Sequence, residues 1–161
     1  MKPIRRISPP GTYFMTSTTW QGRSLFVAEP MVRLLLKTLY SYRRQGKFQL
    51  HEFVIMPEHF HLLLTPSGIT LERAVQFIKG GYSYAVKDQL EKTIEIWQPG
   101  FTDHRIRDAA DFTNHRLYIH RNPVKRGLVA EPSSFRYCSA FPRFKLDPWP
   151  SVAEAGLLAS A

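Results

Sequence analysis

Two apolar runs separated by a two-residue connection place the tightest limit on how this chain can fold. Phe48–Met56 (FQLHEFVIM) and His59–Thr65 (HFHLLLT) flank Pro57-Glu58 alone. A link that short joins antiparallel neighbours and leaves no room for a crossover helix. Alternation along the second run then sets its faces. Phe60, Leu62 and Leu64 point to one side, which reads as a core face, while His59 and His61 project together from the other. Two imidazoles on one face of a rigid strand can hold a divalent metal between them. An H-x-H pair by itself is also compatible with a purely structural role.

The rest of the chain supplies partners for this hairpin. Tyr13–Trp20 is β-branched and aromatic and predicts a first strand. Pro30 suits a first helical turn, and Val32, Leu35, Leu36 and Leu39 follow at helical spacing until Gly46 closes the segment. A second helix is predicted from about Leu71, with Leu71, Val75, Ile78, Tyr82 and Val86 on one side; Gly80-Gly81 is expected to interrupt it. Trp97-Gln98-Pro99-Gly100 is a turn. Phe101–Arg107 reads as a fourth strand, with Thr102, His104 and Ile106 on one face. A third helix from about Asp108 to Arg121 must end before Pro123. The order β-α-β-β-α-β-α fits an α+β, ferredoxin-like split β-α-β-β-α-β sheet with an additional C-terminal helix. Residues 1–145 are expected to form one domain and 146–161 a tail, loose from Asp147 onward with room for one short helix.

Charge narrows the function. Twenty-two Lys and Arg against thirteen Asp and Glu give +9 over 161 residues, a balance that favours an anionic polymer, nucleic acid above all. No apolar run approaches the ~18–20 residues of a membrane span, and no apolar segment follows the basic N-terminus as in a signal peptide. The single cysteine, Cys138, rules out an internal disulfide and a cysteine-built zinc site, and reads as a buried or idle thiol in a reducing cytoplasm.

The third helix carries DFTNHRLYIHRNPVKRG. At 100° per residue, Phe112 and Ile119 share an apolar side that should pack on the sheet, while Asp111, His115, Tyr118 and Asn122 cluster on an adjacent polar side. Tyr118 and Asn122 are neighbours one turn apart, although an asparagine near a helix end is often only a cap. His120 lies 200° from Tyr118 at that same step and faces away. The facing of His51 is undetermined, and His104 reads as a satisfied structural histidine.

Met56-Pro57-Glu58 with His59-Phe60-His61, then Ile96-Trp97-Gln98, Phe101, Asp103-His104, Ile106-Arg107-Asp108 and Tyr118-Ile119-His120-Arg121-Asn122-Pro123-Val124-Lys125 resemble the HUH single-tyrosine transposases. More narrowly, they are similar to the branch associated with repetitive extragenic palindromes (REP) in bacteria. The resemblance spans roughly Gly11 to Ala140. It implies that His59 and His61 bind a catalytic Mg²⁺ or Mn²⁺, that Asn122 is a third ligand through its amide oxygen, and that Tyr118 is the nucleophile. It also implies a ferredoxin-like fold, single-stranded or hairpin DNA as partner, a bacterial cytoplasmic location on the nucleoid when DNA is bound, and action as a monomer or homodimer.

That chemistry suits the residues. Imidazole and amide oxygen are neutral ligands, so an ion keeps its charge for a phosphodiester. A tyrosine ester preserves the bond energy for rejoining. A free phenol ionises near pH ~10, so forming the phenolate at pH 7 costs ~4 kcal/mol; Arg121, Lys125, Arg126 and the metal are placed to offset part of it, and His115 is a candidate proton acceptor. Lys79, Arg121, Lys125 and Arg126 are the expected DNA contacts, and the arm carrying Lys2, Arg5 and Arg6 either reaches DNA or is solvated. Two other readings compete. One is a catalytically idle, domesticated module binding hairpin DNA or RNA. The other is a two-histidine hydrolase, which needs an acidic ligand; Glu58 would point away if the strand includes it.

Overall fold

The computed structural model describes residues 7–149. Its elements are β1 (Tyr13–Thr18), α1 (Glu29–Arg44), β2 (Phe48–Ile55), β3 (His59–Pro66), α2 (Leu71–Leu90), β4 (Thr102–Arg105) and α3 (Ala109–Lys125), with three single 3₁₀ turns between them or after α3. The strands form one antiparallel sheet in the order β2-β3-β1-β4. This is the ferredoxin-like arrangement that the element order predicts. Among the described residues, no helix is long and apolar enough to cross a membrane. The basic arm at Lys2, Arg5 and Arg6, and any helix after Trp149, lie outside the described residues.

The two faces of the sheet are covered by different elements. Phe60, Leu62 and Leu64 of β3 join Tyr13 and Met15 of β1 beneath α1 and α2, where Val32, Leu35, Leu39, Val75, Ile78 and Tyr82 are buried. Leu63 of β3, on the other face, packs with Val54, Met56, Ile106, Cys138 and Ile119 of α3. Each β3 residue thus faces as alternation dictates. In β2 the alternation changes phase: Leu50 pairs with Leu64 but Glu52 pairs with Leu63. His51 is the extra residue of this bulge. The bulge lets Phe48 and Leu50, then Phe53 and Ile55, all reach the same core, while His51 and Glu52 turn toward the α3 side.

Local chemistry sets the helix ends. Thr70 accepts a hydrogen bond from the Arg73 backbone N–H at 3.1 Å, and the Asp108 carboxylate accepts one from Asp111 at 2.7 Å. Gly46, at φ +76°, supplies the left-handed residue after α1.

Three expectations are corrected. Gly80-Gly81 does not interrupt α2, which runs unbroken through both. A β-carbon at Gly81 would collide with the Tyr42 hydroxyl, whereas one at Gly80 would meet open space; Gly81 is there for close helix packing, not for a break. The third helix does not end before Pro123 but continues to Lys125 with Pro123 inside. Proline cannot donate to the Ile119 carbonyl four residues back, and the buried Cys138 thiol faces that carbonyl at 4.0 Å. Burial pushes this thiol up to about 11. The segment expected to be loose from Asp147 is docked through Trp149. Asp147 takes a bidentate ion pair from Arg43 at 2.8 and 2.9 Å and the Leu50 N–H at 2.9 Å. Trp149 stacks on Phe112 at 4.7 Å and donates to Thr12 Oγ1.

The glycine pair gives opposite expectations. Gly81→Ala should lower the unfolding free energy by about 1–3 kcal/mol, through overpacking against Tyr42. Gly80→Ala should raise it by roughly 0.5–1 kcal/mol, because it only stiffens the unfolded chain. Urea titration of the two variants checks both signs.

Candidate active site

His59 and His61 sit on β3, facing α3, and their Nε2 atoms converge to 3.0 Å. The opposite nitrogen of each ring is held. His59 Nδ1 lies 3.0 Å from Glu58 Oε1, and His61 Nδ1 lies 2.7 Å from Thr16 Oγ1 on β1, a contact set by the Thr16–His61 register of the sheet. An ionised carboxylate only accepts, so His59 donates from Nδ1 and its Nε2 is bare. The Nε2 contact then makes His61 the donor from its own Nε2, with its Nδ1 accepting from Thr16. A hydroxyl can reverse roles, so Thr16 also suits the tautomer in which both Nε2 atoms are bare.

The strand starts at His59, so Glu58 is not on the opposite face but folds back beside the pair. Its Oε1 receives His59 Nδ1 and, at 2.6 Å, Arg126 Nη1 from the end of α3. Burial pushes the Glu58 carboxyl up, but Arg126 and His59 outweigh it and hold it below the usual range. The carboxylate is engaged on the far side of the imidazole from the converging Nε2 atoms. It orients His59 and is not a third ligand.

An open cleft of about 480 Å³ is lined by Thr16, Thr18, His59, His61, Tyr118, Asn122, Lys125 and Arg126. Tyr118 and Asn122 reach it because α3 stays helical through Asn122, keeping i and i+4 on one side. The Tyr118 ring meets His61 edge-on at 5.3 Å and Phe14 at 5.9 Å, and 47% of the residue is exposed. All of these residues belong to one chain. Asn122 Oδ1 is buried without a hydrogen-bond partner among the described residues, a costly state for a carbonyl oxygen. Two convergent imidazole nitrogens and an orphaned amide oxygen on one cleft are a donor set that fits a divalent ion.

Other expected site residues are distributed unevenly. Arg121 and Lys125 line a second hollow along α3 with Asn114, Leu117, Tyr118 and Asn122, so this helix edge is basic and continuous with the cleft. Lys79 is on α2, across the sheet. Its ammonium donates to the Gln98 and Gly100 carbonyls at 3.1 and 2.7 Å and lies over Trp97. Tyr82 is core, donating to the Met31 carbonyl, and Tyr84 is exposed. His115 bonds the Asp111 carbonyl one turn back and stacks on His104; the rings packed on Tyr118 are Phe14 and His61. His120 faces away as expected, but onto the buried Glu52, which also takes Arg116 and Ser139. Sequence reasoning missed Thr16, Phe14 and the Glu58–Arg126 pair. Strand register decides the first two. The last needed the end of α3, which lies beyond the proline.

Burial, and secondarily the positive charge of His59, push His61 down to about 3. The folded value is below the unfolded ~6.5. Stability from this residue is therefore fully present above pH ~6.5 and is lost as pH falls toward the folded value. Metal-free protein should lose on the order of 2 kcal/mol from this group between pH 7 and 5. In urea titrations across that range, His61→Gln should flatten the slope by a comparable amount.

Comparison with known proteins bears on the whole frame. Residues 13–122 match the family described as "Transposase IS200 like". A REP-associated tyrosine transposase of Escherichia coli (strain K12) is 31% identical over 129 residues, 79% of this chain and 74% of the relative. A protein of Haemophilus influenzae (strain ATCC 51907 / DSM 11121 / KW20 / Rd) is 29% identical over 114 residues, 64% of this chain and 65% of its own length. Among solved structures, a REP-associated tyrosine transposase bound to a REP hairpin superimposes with a TM-score of 0.72 at 28% identity, covering 94% of this chain and 93% of that one. A structure from Deinococcus radiodurans R1, at 17% identity and a TM-score of 0.52, covers 73% of this chain and 95% of its own and bears on the fold alone. With the family matched across most of the sheet and through the helix that carries Tyr118 and Asn122, this chain belongs to the IS200-like transposases.

Proposed function

We propose that this protein is a metal-dependent, single-strand DNA transposase that cleaves and rejoins hairpin-bearing DNA through a 5′-phosphotyrosine intermediate. One observation carries the reading: a single chain lines one cleft with two convergent imidazole nitrogens, a buried unpartnered amide oxygen and a half-exposed tyrosine. The REP hairpin bound by the structural relative supports the same substrate class here.

His59, His61 and Asn122 hold the ion, either Mg²⁺ or Mn²⁺. Such an ion supplies charge neutralisation at the phosphoryl oxygen of the scissile bond. Tyr118 is the nucleophile. Its phenolic oxygen bonds to phosphorus, the bond from phosphorus to the 3′-oxygen breaks, the phenol proton is given up, and the released 3′-oxygen takes one. Joining is the reverse with a different 3′-hydroxyl, and it consumes no nucleotide because the ester keeps the bond energy. Lys125 and Arg126 in the cleft, with Arg121 beside it, meet the DNA backbone and make binding salt-dependent. Glu58 orients His59 and, through Arg126, fixes the end of the helix that presents Tyr118. No partner subunit is needed to complete this site, and the protein acts in cis.

Hairpin-bearing single-stranded DNA with Mn²⁺ should give a covalent protein–DNA adduct on a denaturing gel, lost in Tyr118→Phe and on chelation. Adduct of full yield from Tyr118→Phe would overturn the assignment. Mixing Tyr118→Phe with a His59→Ala/His61→Ala chain should restore nothing; recovered adduct would mean that tyrosine and histidines come from different subunits. Glu58→Gln should weaken Mn²⁺ binding by calorimetry roughly 10–100-fold, as for other partners that orient a metal-binding histidine.

A further inference from the structure

Six histidines occur in the chain, and four are accounted for. His59 and His61 line the cleft, His51 is held between the Asp147 carbonyl and Thr65, and His120 is bonded to Glu52. The other two meet around one buried carboxylate on the far side of Phe14. His104 of β4 places Nε2 2.8 Å from Asp111 Oδ2; His115, one turn beyond Asp111 on α3, places Nδ1 3.2 Å from Oδ1 and 2.8 Å from the Asp111 carbonyl, a hydrogen bond that an ion at Nδ1 would replace. The two imidazoles stack at 4.7 Å with 17° between their planes. Among the described residues, this is the place where three such donor side chains converge, all ligand atoms lying within 4.8 Å of one another.

We propose that His104, Asp111 and His115 form a second metal site, separate from the histidine pair and selective for a borderline transition metal such as Zn²⁺. Two imidazoles and a carboxylate are a ligand set that zinc takes readily, and the carboxylate sets it apart from the neutral donors of the cleft. The spacing is close to what zinc requires. Ligands 2.0–2.1 Å from a tetrahedral ion stand about 3.3 Å apart; His104 Nε2 is 2.8 Å from Oδ2 and His115 Nδ1 is 3.2 Å from Oδ1, one ring on each carboxylate oxygen. The carboxylate is also steadied from outside: the Arg107 backbone N–H donates to Oδ2 at 2.9 Å. The Arg107 side chain, 3.5 Å from the same oxygen, is largely exposed and free to swing out. His104 is partly exposed, which gives an ion its entry and a water the fourth position.

The site ties the edge strand β4 to the second turn of α3. Phe14 lies against His115 at 4.8 Å, His61 at 5.1 Å and Tyr118 at 5.9 Å, so both sites share one aromatic wall. An ion here pins the helix that presents Tyr118 without touching the reacting atoms.

Co²⁺ titration of the full chain, followed by its visible absorption, counts the sites. The His59→Ala/His61→Ala chain should keep one tetrahedral Co²⁺ equivalent that Zn²⁺ displaces, and Zn²⁺ should raise its Tm by several degrees. His104→Gln/His115→Gln should lose that equivalent. Loss of all Co²⁺ binding in the first variant, or the same tetrahedral equivalent surviving when His104→Gln/His115→Gln is added to it, overturns the proposal and leaves the cleft assignment untouched. A second readout needs no variant. Zn²⁺ should shift the ring-nitrogen NMR signals of His104 and His115 in the wild-type chain, and unmoved signals would overturn the proposal as well.

Discussion

Everything at the cleft depends on how α3 is docked against the open face of the sheet. Ile119 is fully buried among Val54, Met56, Leu63 and Cys138, and that contact turns the Tyr118 and Asn122 side of the helix toward β3. Polar anchors fix both its flanks. Arg116 and His120 reach Glu52 on β2, and Arg126 reaches Glu58 at the start of β3. Glu52 is buried, and burial pushes its carboxyl up; hydrogen bonds from His120 and Ser139 and the charges of His120 and Arg116 outweigh that and hold it down. Buried carboxylates with such partners are geometric constraints more than sources of net stability. Here they fix where a helix sits relative to two histidines.

The electrostatics of the cleft follow from what is kept out of it. Glu58 is next to the histidine pair, but Arg126 and His59 take up its carboxylate. The cleft wall then offers neutral ligand atoms with Lys125 and Arg126. For the proposed metal-dependent cleavage, such a wall suits an anionic phosphodiester better than a carboxylate-lined one, because a carboxylate ligand would offset part of an ion's charge. Asn122 completes the contrast. Its buried Oδ1 carries an unmet hydrogen-bonding capacity, which is unfavourable in a core and which the proposed cation would meet.

Much of this was legible in the chain. A two-residue connection forced the hairpin, alternation in HFHLLLT put both histidines on one face, and helical spacing put Tyr118 beside Asn122. Each follows from a local periodicity. The failures were also physical. Pro123 reads locally as a helix stop, but tertiary contacts hold α3 for another turn, and the Cys138 thiol faces the carbonyl that Pro123 leaves free. Two adjacent glycines read locally as a break, but the space beside Gly81 is filled by Tyr42 from another helix. Asp147 reads locally as part of a loose tail, but its partners, Arg43 and the Leu50 N–H, lie about a hundred residues away.

The sequence alone determined which residues could share a face, because strand and helix periods are properties of the local backbone. It could not determine which faces meet. That His61 is opposite Thr16 is a matter of sheet register. That Glu58 turns back to join His59 with Arg126 depends on where β3 begins and where α3 ends. That Phe14 stands between the histidine pair and the His104–Asp111–His115 group depends on β1 running between β3 and β4. These are contacts between segments far apart in the chain, and only the packed tertiary structure decides them.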